Sequence, residues 1–305
     1  SHKGGLSVAG FELAQGEDSL SEQGVQWQGD MSLTASADVL RLDSEGSLQT
    51  NALAALLPRR YLALKQGPLE WKGAISYGQE GEKALHLQAR GDFTAGALLV
   101  DAPDHDFQLL ALDRLQLQGL DLKGPTVLEL KQVSTEGLRI ARSEAAVALG
   151  EEGPPALLRT SRSSLTGIRF DSETGLQIDD LEHQDLNGII RRDKDGGLNA
   201  VRIIDILTEI LADEAKPSVE GTAAAAPAEE PVAPAPGTTA EDRLPVRVNR
   251  VVVSGQSTLL YADDNVDPPY LARLDFTELK LSDIDSGNPE QDSPFVLKAK
   301  IGEHA

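Results

Sequence analysis

The sequence predicts a mainly β protein: a curved, antiparallel, repeat-built sheet with one or two short helices. Three observations predict it. From Gly5 to about Ile140, apolar and polar residues alternate in short runs, among them Leu85, Leu87 and Ala89, then Leu115 and Leu117, then Leu128 and Leu130. Such period-two alternation makes one sheet face apolar and the other polar. The 28 glycines and 16 prolines punctuate these runs with turns rather than helices, the pattern of antiparallel meanders. Finally, some runs change phase midway: the apolar set moves from odd to even positions across Gly119, and Val246 and Val248 give way to Val251 and Val253. A one-residue slip flips every side chain, so a β-bulge at each break is the natural repair, and repeated bulges curl a sheet.

In chain order, the first strands contain a weak repeat. Val25-Gln-Trp27-Gln-Gly29-Asp-Met31-Ser matches Leu69-Glu-Trp71-Lys-Gly73-Ala-Ile75-Ser, with a fainter third copy at Leu87-Gln-Ala89-Arg-Gly91-Asp-Phe93. Recurrence at this distance suggests stacked supersecondary units, though the chain is too short for a propeller. Between the two tryptophan copies, Thr50 to Leu57 reads as a short helix, with Asn51 as N-cap and Pro58 as stop. A second helix is predicted from Asn199 to Ala215, where Val201, Ile204, Leu207, Ile210 and Leu211 form one stripe. Residues 1–215 thus form a β-rich region closed by a helix. Residues 216–243 are Ala, Pro, Glu and Thr with few large apolar side chains, and read as a disordered linker. Residues 244–305 begin a further β unit with strands near Leu244, Ser257, Tyr270 and Phe295.

Composition narrows function. The net charge of −21 argues against nucleic acid and against adsorption to an anionic membrane. With no cysteine there is no disulfide, thiolate catalysis or Cys-bound zinc. No run is long and apolar enough to span a bilayer as a helix. The five histidines lack the His-x-x-x-His spacing of a helical metal site. Asp104-His105-Asp106, Asp193-Lys-Asp195-Gly196 and Asp263-Asp264-Asn265 read as acidic turns rather than metal loops. No Gly-x-Ser-x-Gly, P-loop or dinucleotide turn is present, so we expect no enzyme and no cofactor.

Two motifs carry a resemblance. The first is the strand ending in Arg191-Arg192-Asp193-Lys-Asp195-Gly196-Gly197-Leu198-Asn199, which leads into the predicted helix. The second is Val253-Ser-Gly255 through Tyr261-Ala-Asp263 to Pro268-Pro269-Tyr270, followed by Phe295-Val-Leu-Lys-Ala-Lys-Ile-Gly. In this order they resemble the AsmA-like superfamily, DUF748 type. The likeness spans roughly Leu165 to the C-terminus by motif, and the first half only by strand style. Tyr261 in place of the commoner Phe, and the doubled Pro268-Pro269, depart from the pattern. The resemblance implies an envelope protein of the periplasm, a fragment here, whose full-length parent is anchored in the inner membrane. It implies binding or conduction of phospholipid or another acyl-chain lipid along an apolar β-groove, for outer-membrane maintenance, with envelope proteins as further partners. Alternation places Leu115, Leu117, Leu128, Leu130, Val251 and Val253 on the groove. The alternative is a non-lipid structural or adhesin-like β-repeat scaffold. A polysaccharide enzyme would need clustered carboxylates and aromatic platforms at one site, which the two separated tryptophans do not supply.

Overall fold

The structure, a computed structural model, describes residues 1–36, 39–57, 62–80, 86–102, 107–143, 156–201, 203, 244–288 and 290–304. The first strand segments are β1 (His2–Val8), β2 (Phe11–Gln15), β3 (Asp18–Glu22), β4 (Val25–Ala35), β5 (Val39–Thr50), β6 (Leu53–Leu57), β7 (Leu62–Gln66), β8 (Leu69–Glu80), β9 (His86–Ala95) and β10 (Leu98–Ala102). Then come β11 (Phe107–Leu112), β12 (Arg114–Lys123), β13 (Val127–Ser143), β14 (Leu158–Asp171), β15 (Gly175–Gln184), β16 (Asn187–Arg192), β17 (Val246–Asp263), β18 (Tyr270–Asp285) and β19 (Phe295–His304). All belong to one sheet.

Seven consecutive couples, β1/β2 to β11/β12 and β15/β16, are each one long strand interrupted for one or two residues. Together with β13, β14, β17, β18 and β19 they make twelve long strands, hydrogen-bonded in sequence order. The second halves of the interrupted strands pair in the same order. Among the described residues every contact is antiparallel except one: β17 runs parallel to β15 and β16. A parallel neighbour needs a crossover rather than a hairpin, and the chain between Arg192 and Val246 makes it. Residues 244–304 therefore add three strands to the sheet that the earlier residues form.

The interruptions line up as a seam across the sheet. On either side of it the apolar positions stand three apart, as in Val8 and Phe11, Ala95 and Leu98, or Leu112 and Leu115. In flat strand that spacing would put them on opposite faces. Here the kink brings both to one face: Thr160 Oγ1 and Ser163 Oγ, three apart on β14, touch at 2.8 Å. The buried Glu22 braces one crossing, its carboxylate accepting the backbone N–H groups of Gly24, Asn51 and Ala52 at 3.3, 3.1 and 3.3 Å. At Gly255 (φ +81°) the Asp185 carboxylate accepts from Gln256 N–H at 2.9 Å.

A second transverse line lies lower in the sheet. In the first strands it is a row of glycines in direct register, Gly4, Gly29, Gly46, Gly73 and Gly91. A Cβ on Gly73 would lie 2.7 Å from the Cα of Gly91 and closer still to the Arg90 carbonyl oxygen, so only glycine lets these backbones approach. Further along, the row becomes the phase switch. Gly119 (φ +63°) is a bulge whose N–H donates to Asp92 Oδ1 at 2.7 Å, and the register against β9 steps between Leu117 and Leu120. Between Val248 and Val251 the phase changes as the alternation requires, but the register with β18 does not step, because Asp283 (φ +57°) in the partner strand carries a matching irregularity. The register step in this pair falls instead between Ser254 and Ser257.

Two expectations are corrected. Thr50 to Leu57 is not a helix: β5 ends at Thr50 and Leu53–Leu57 is β6, held between β3 and β7. Flanked by strands that take up its backbone hydrogen bonds, an Ala/Leu-rich segment extends, and local helix propensity is overridden. The third repeat copy is also misaligned. Because β9 runs antiparallel to β8, Phe93 pairs with Trp71, and Ala89 pairs with Ile75 rather than sharing the tryptophan row. Helix does start at Asn199, whose side chain accepts from Arg191 and Ala200 N–H and donates to the Ile189 carbonyl. Most of the predicted helix to Ala215, the linker 216–243 and Asp104-His105-Asp106 lie outside the described residues.

Candidate functional site

The register turns local alternation into one continuous surface. Residues opposite one another in a sheet project from the same face. Starting at β1, the partners Leu6, Trp27, Leu48, Trp71, Phe93 and Leu117 follow one another across six strands. They continue through Val133, Leu165, Leu181, Val251, Leu281 and Phe295 to β19. Every long strand contributes one member, and every member is apolar. At about 4.8 Å per strand the row is about 50 Å long. Beyond the seam a second row runs from Leu13 and Leu20 through Ala55, Leu64, Val100 and Leu110, then Ile140, Leu158 and Gly188 to Leu259, Leu274 and Ile301.

The face is covered most on the strands β14, β15 and β17. Ile168, Ile178 and Val248 are buried and pack with Leu130, Val133, Leu165, Leu176, Leu181, Val251 and Ile284. Positions three apart, such as Val248 with Val251 and Ile178 with Leu181, thus lie on the same side. A single layer buries such side chains only by bending toward them, so this face is concave. Toward both ends of the sheet cover is lost: Leu6 is 58% exposed and Phe295 70%. Among the described residues every strand belongs to one sheet, so no second sheet covers the face, and no large side chain is fully buried. Near the glycine row a concavity of about 580 Å³ is lined by His2, Met31, Ser44, Ile75 and Ala89, one from each of five adjacent strands, among others.

The opposite face is polar and laced with ion pairs. Arg90 meets Asp121 at 2.9 Å across β9 and β12, Arg247 meets Asp285 at 2.9 Å across β17 and β18, and Arg250 bridges to Asp180 and Glu182. Exposed pairs of this kind contribute little each, but they keep that face wet. Hydrogen bonds from Arg41 and then Ser76 hold the Asp43 carboxyl below the usual carboxylate range.

All six residues selected by alternation lie on the apolar face. Leu115 and Leu117 sit on β12, Leu128 and Leu130 on β13, and Val251 and Val253 on β17. The structure brings Leu130 and Val251 into one cluster, sets Leu117 opposite Val133, and buries Val253 to 2% exposure. Leu115 and Leu128 stand in neighbouring rows, opposite Thr135 and Leu122. Sequence reasoning missed the other members of the long row. The tryptophan repeat signalled two of them, and only strand order could have joined the rest.

The two motifs behind the family resemblance, some seventy residues apart in sequence, are neighbours in space. Ile190, Arg191 and Arg192 pair in parallel with Tyr261, Ala262 and Asp263. Arg191 binds Asp264 at 2.5 Å, and Asp264 N–H donates to the Arg192 carbonyl at 2.9 Å. Asp263 accepts from Asn265 N–H, while Gly196 (φ +86°) closes the first turn with its N–H on the Asp193 carbonyl. The acidic residues of both turns thus have structural partners in this chain. Among the described residues no group of three or more His, Asp or Glu could hold a metal ion. No family model, no curated protein and no solved structure matches the chain.

Proposed function

We propose that this chain binds or conducts phospholipid along its apolar face, as a segment of a periplasmic, AsmA-like envelope protein that serves outer-membrane maintenance. The observation that carries the reading is the unbroken apolar row of twelve residues, one from each long strand, with no second sheet over it among the described residues. Apolar surface beyond a few hundred Å² left uncovered marks a binding surface. Laying an acyl chain of about 15 methylenes on it offers up to about 12 kcal/mol at about 0.8 kcal/mol each. Rows of Leu, Val and Ile supply that attraction with few directional contacts, so a bound chain can move along them. The motif resemblance points the same way.

The test is lipid extraction from protein produced in a diderm periplasm. Phospholipid should co-purify with the native chain and be lost from Leu117→Glu, which charges the apolar row, while Gln118→Glu on the polar face retains it. Circular dichroism confirms that both variants keep their strands. A native chain without lipid, and without binding of an apolar dye, would contradict the proposal and favour a non-lipid scaffold.

A further inference from the structure

One transverse row of the apolar face is broken by polar side chains. It runs through Leu115 on one side and Val253 and Leu279 on the other, and the three strands between supply Thr135, Ser163 and His183, each in register with the next. These groups are not simply solvated. Ser163 is 4% exposed and Thr160, behind it, 3%. Thr135 Oγ1 is shut off from solvent with no hydrogen-bond partner. A relay runs from Thr160 Oγ1 to Ser163 Oγ at 2.8 Å and on to His183 Nδ1 at 2.8 Å. His183 Nε2 has no partner among the described residues.

An unpaired buried hydroxyl costs about 1–3 kcal/mol, so such a group calls for a partner. Burial holds the His183 imidazole below its usual value, so it is neutral near pH 7. In the tautomer in which the Ser163 hydroxyl donates to Nδ1, the ring proton sits on Nε2, which has no acceptor among the described residues. Thr135 Oγ1, two strands away, is a second donor without a partner, reached when a ligand parts the side chains that cover it. The adjoining row is Val133, Leu165, Leu181 and Val251, and neither row carries a Lys or Arg. Uncharged donors set in hydrocarbon match an uncharged acceptor joined directly to hydrocarbon. They do not match a phosphate, which needs cationic partners.

We propose that Thr135, Ser163 and His183 form a binding site for the ester carbonyl of an acyl lipid, whose hydrocarbon lies on the flanking apolar rows. This site rests on the reading of the face as a lipid surface, and it adds a fixed station to an otherwise featureless track. It separates ester-linked lipids from hydrocarbon of the same length.

The experiment is calorimetric titration of the full chain with diheptanoyl phosphatidylcholine and with its diheptyl ether analogue, which keeps chains and headgroup but lacks both carbonyls. The native protein should bind the ester about fivefold more tightly, the worth of one ordinary hydrogen bond. His183→Phe should bind both alike, at the ether's affinity. Thr135→Val, nearly isosteric, should narrow the preference and serves in place of His183→Phe if that variant does not fold. Equal binding of ester and ether by the native chain, or a preference that survives the substitutions, overturns this site and leaves the lipid surface standing. Binding of neither overturns both.

Discussion

The glycine row makes a stability prediction that depends only on strand register. Gly73→Ala adds a Cβ that meets the Arg90 carbonyl oxygen and lies 2.7 Å from the Gly91 Cα and 2.9 Å from the Arg90 carbonyl carbon. All are backbone atoms of the adjacent strand, so no rotamer change can relieve the contact. Relief means pushing β8 and β9 apart along a ladder of ten residue pairs. Overpacking costs about 1–3 kcal/mol where side chains can yield, and a backbone collision belongs at the upper end, about 3 kcal/mol. That is a large share of the 5–15 kcal/mol typical of a folded domain. Gly302→Ala is the control, since its added Cβ meets nothing within 4 Å, and it should change stability by less than about 0.5 kcal/mol. Urea unfolding followed by circular dichroism measures both. The midpoint should fall for Gly73→Ala at unchanged slope. Equal midpoints for the two variants would refute the direct register of the glycines.

Other consequences follow from single side chains. His183 titrates below its unfolded value because burial disfavours the imidazolium, so its neutral form is favoured by folding. Stability should be full above about pH 6.5 and fall as pH drops through that value, a fall that His183→Phe removes in pH-dependent urea melts. Lys280 and Lys298 hold the Glu278 carboxyl down to about 2, linking β18 to β19. That contribution should be present above about pH 4.5 and be lost as pH falls toward 2, and Glu278→Gln should flatten the acid limb of the unfolding profile. Glu22→Ala leaves three backbone N–H groups at the seam without their carboxylate and should cost about 2 kcal/mol by urea unfolding, with Glu22→Gln costing less. Asp185 (φ +54°) accepts from Gln256 N–H and from Ser161 Oγ. Asp185→Ala should therefore destabilise by about 1–2 kcal/mol in the same assay, and Asp185→Asn, which tolerates that backbone and keeps an acceptor, by less.

What could be read from the chain alone followed the range of each interaction. Alternation within one strand is local, so the face on which Leu115, Leu117, Leu128 and Leu130 lie was legible, as were the phase switch at Gly119 and the turn and helix start from Asp193 to Asn199. Partner strands are not local. Nothing in Leu48 or Val133 announces that they stand beside Trp27 and Leu117, and the parallel return of β17 to β15 spans the whole crossover. Gly29 and Gly73 were visible through the tryptophan repeat, while Gly46 entered the row only once strands were paired. The error at Thr50 to Leu57 has the same origin, since an Ala/Leu run signals helix until a strand stands on each side. His183 looked like one of five scattered histidines, because Ser163 and Thr135 reach it only through the sheet.

The most direct measurement of whether lipid occupies the apolar face is site-specific photocrosslinking in a diderm periplasm. A photoreactive phenylalanine analogue placed at Leu48, in the long apolar row, and at Ser47, its neighbour on the polar face, samples the two sides of one strand. Phospholipid should attach at position 48 and not at 47. Attachment at neither position, or equally at both, would contradict a lipid-bearing concave face.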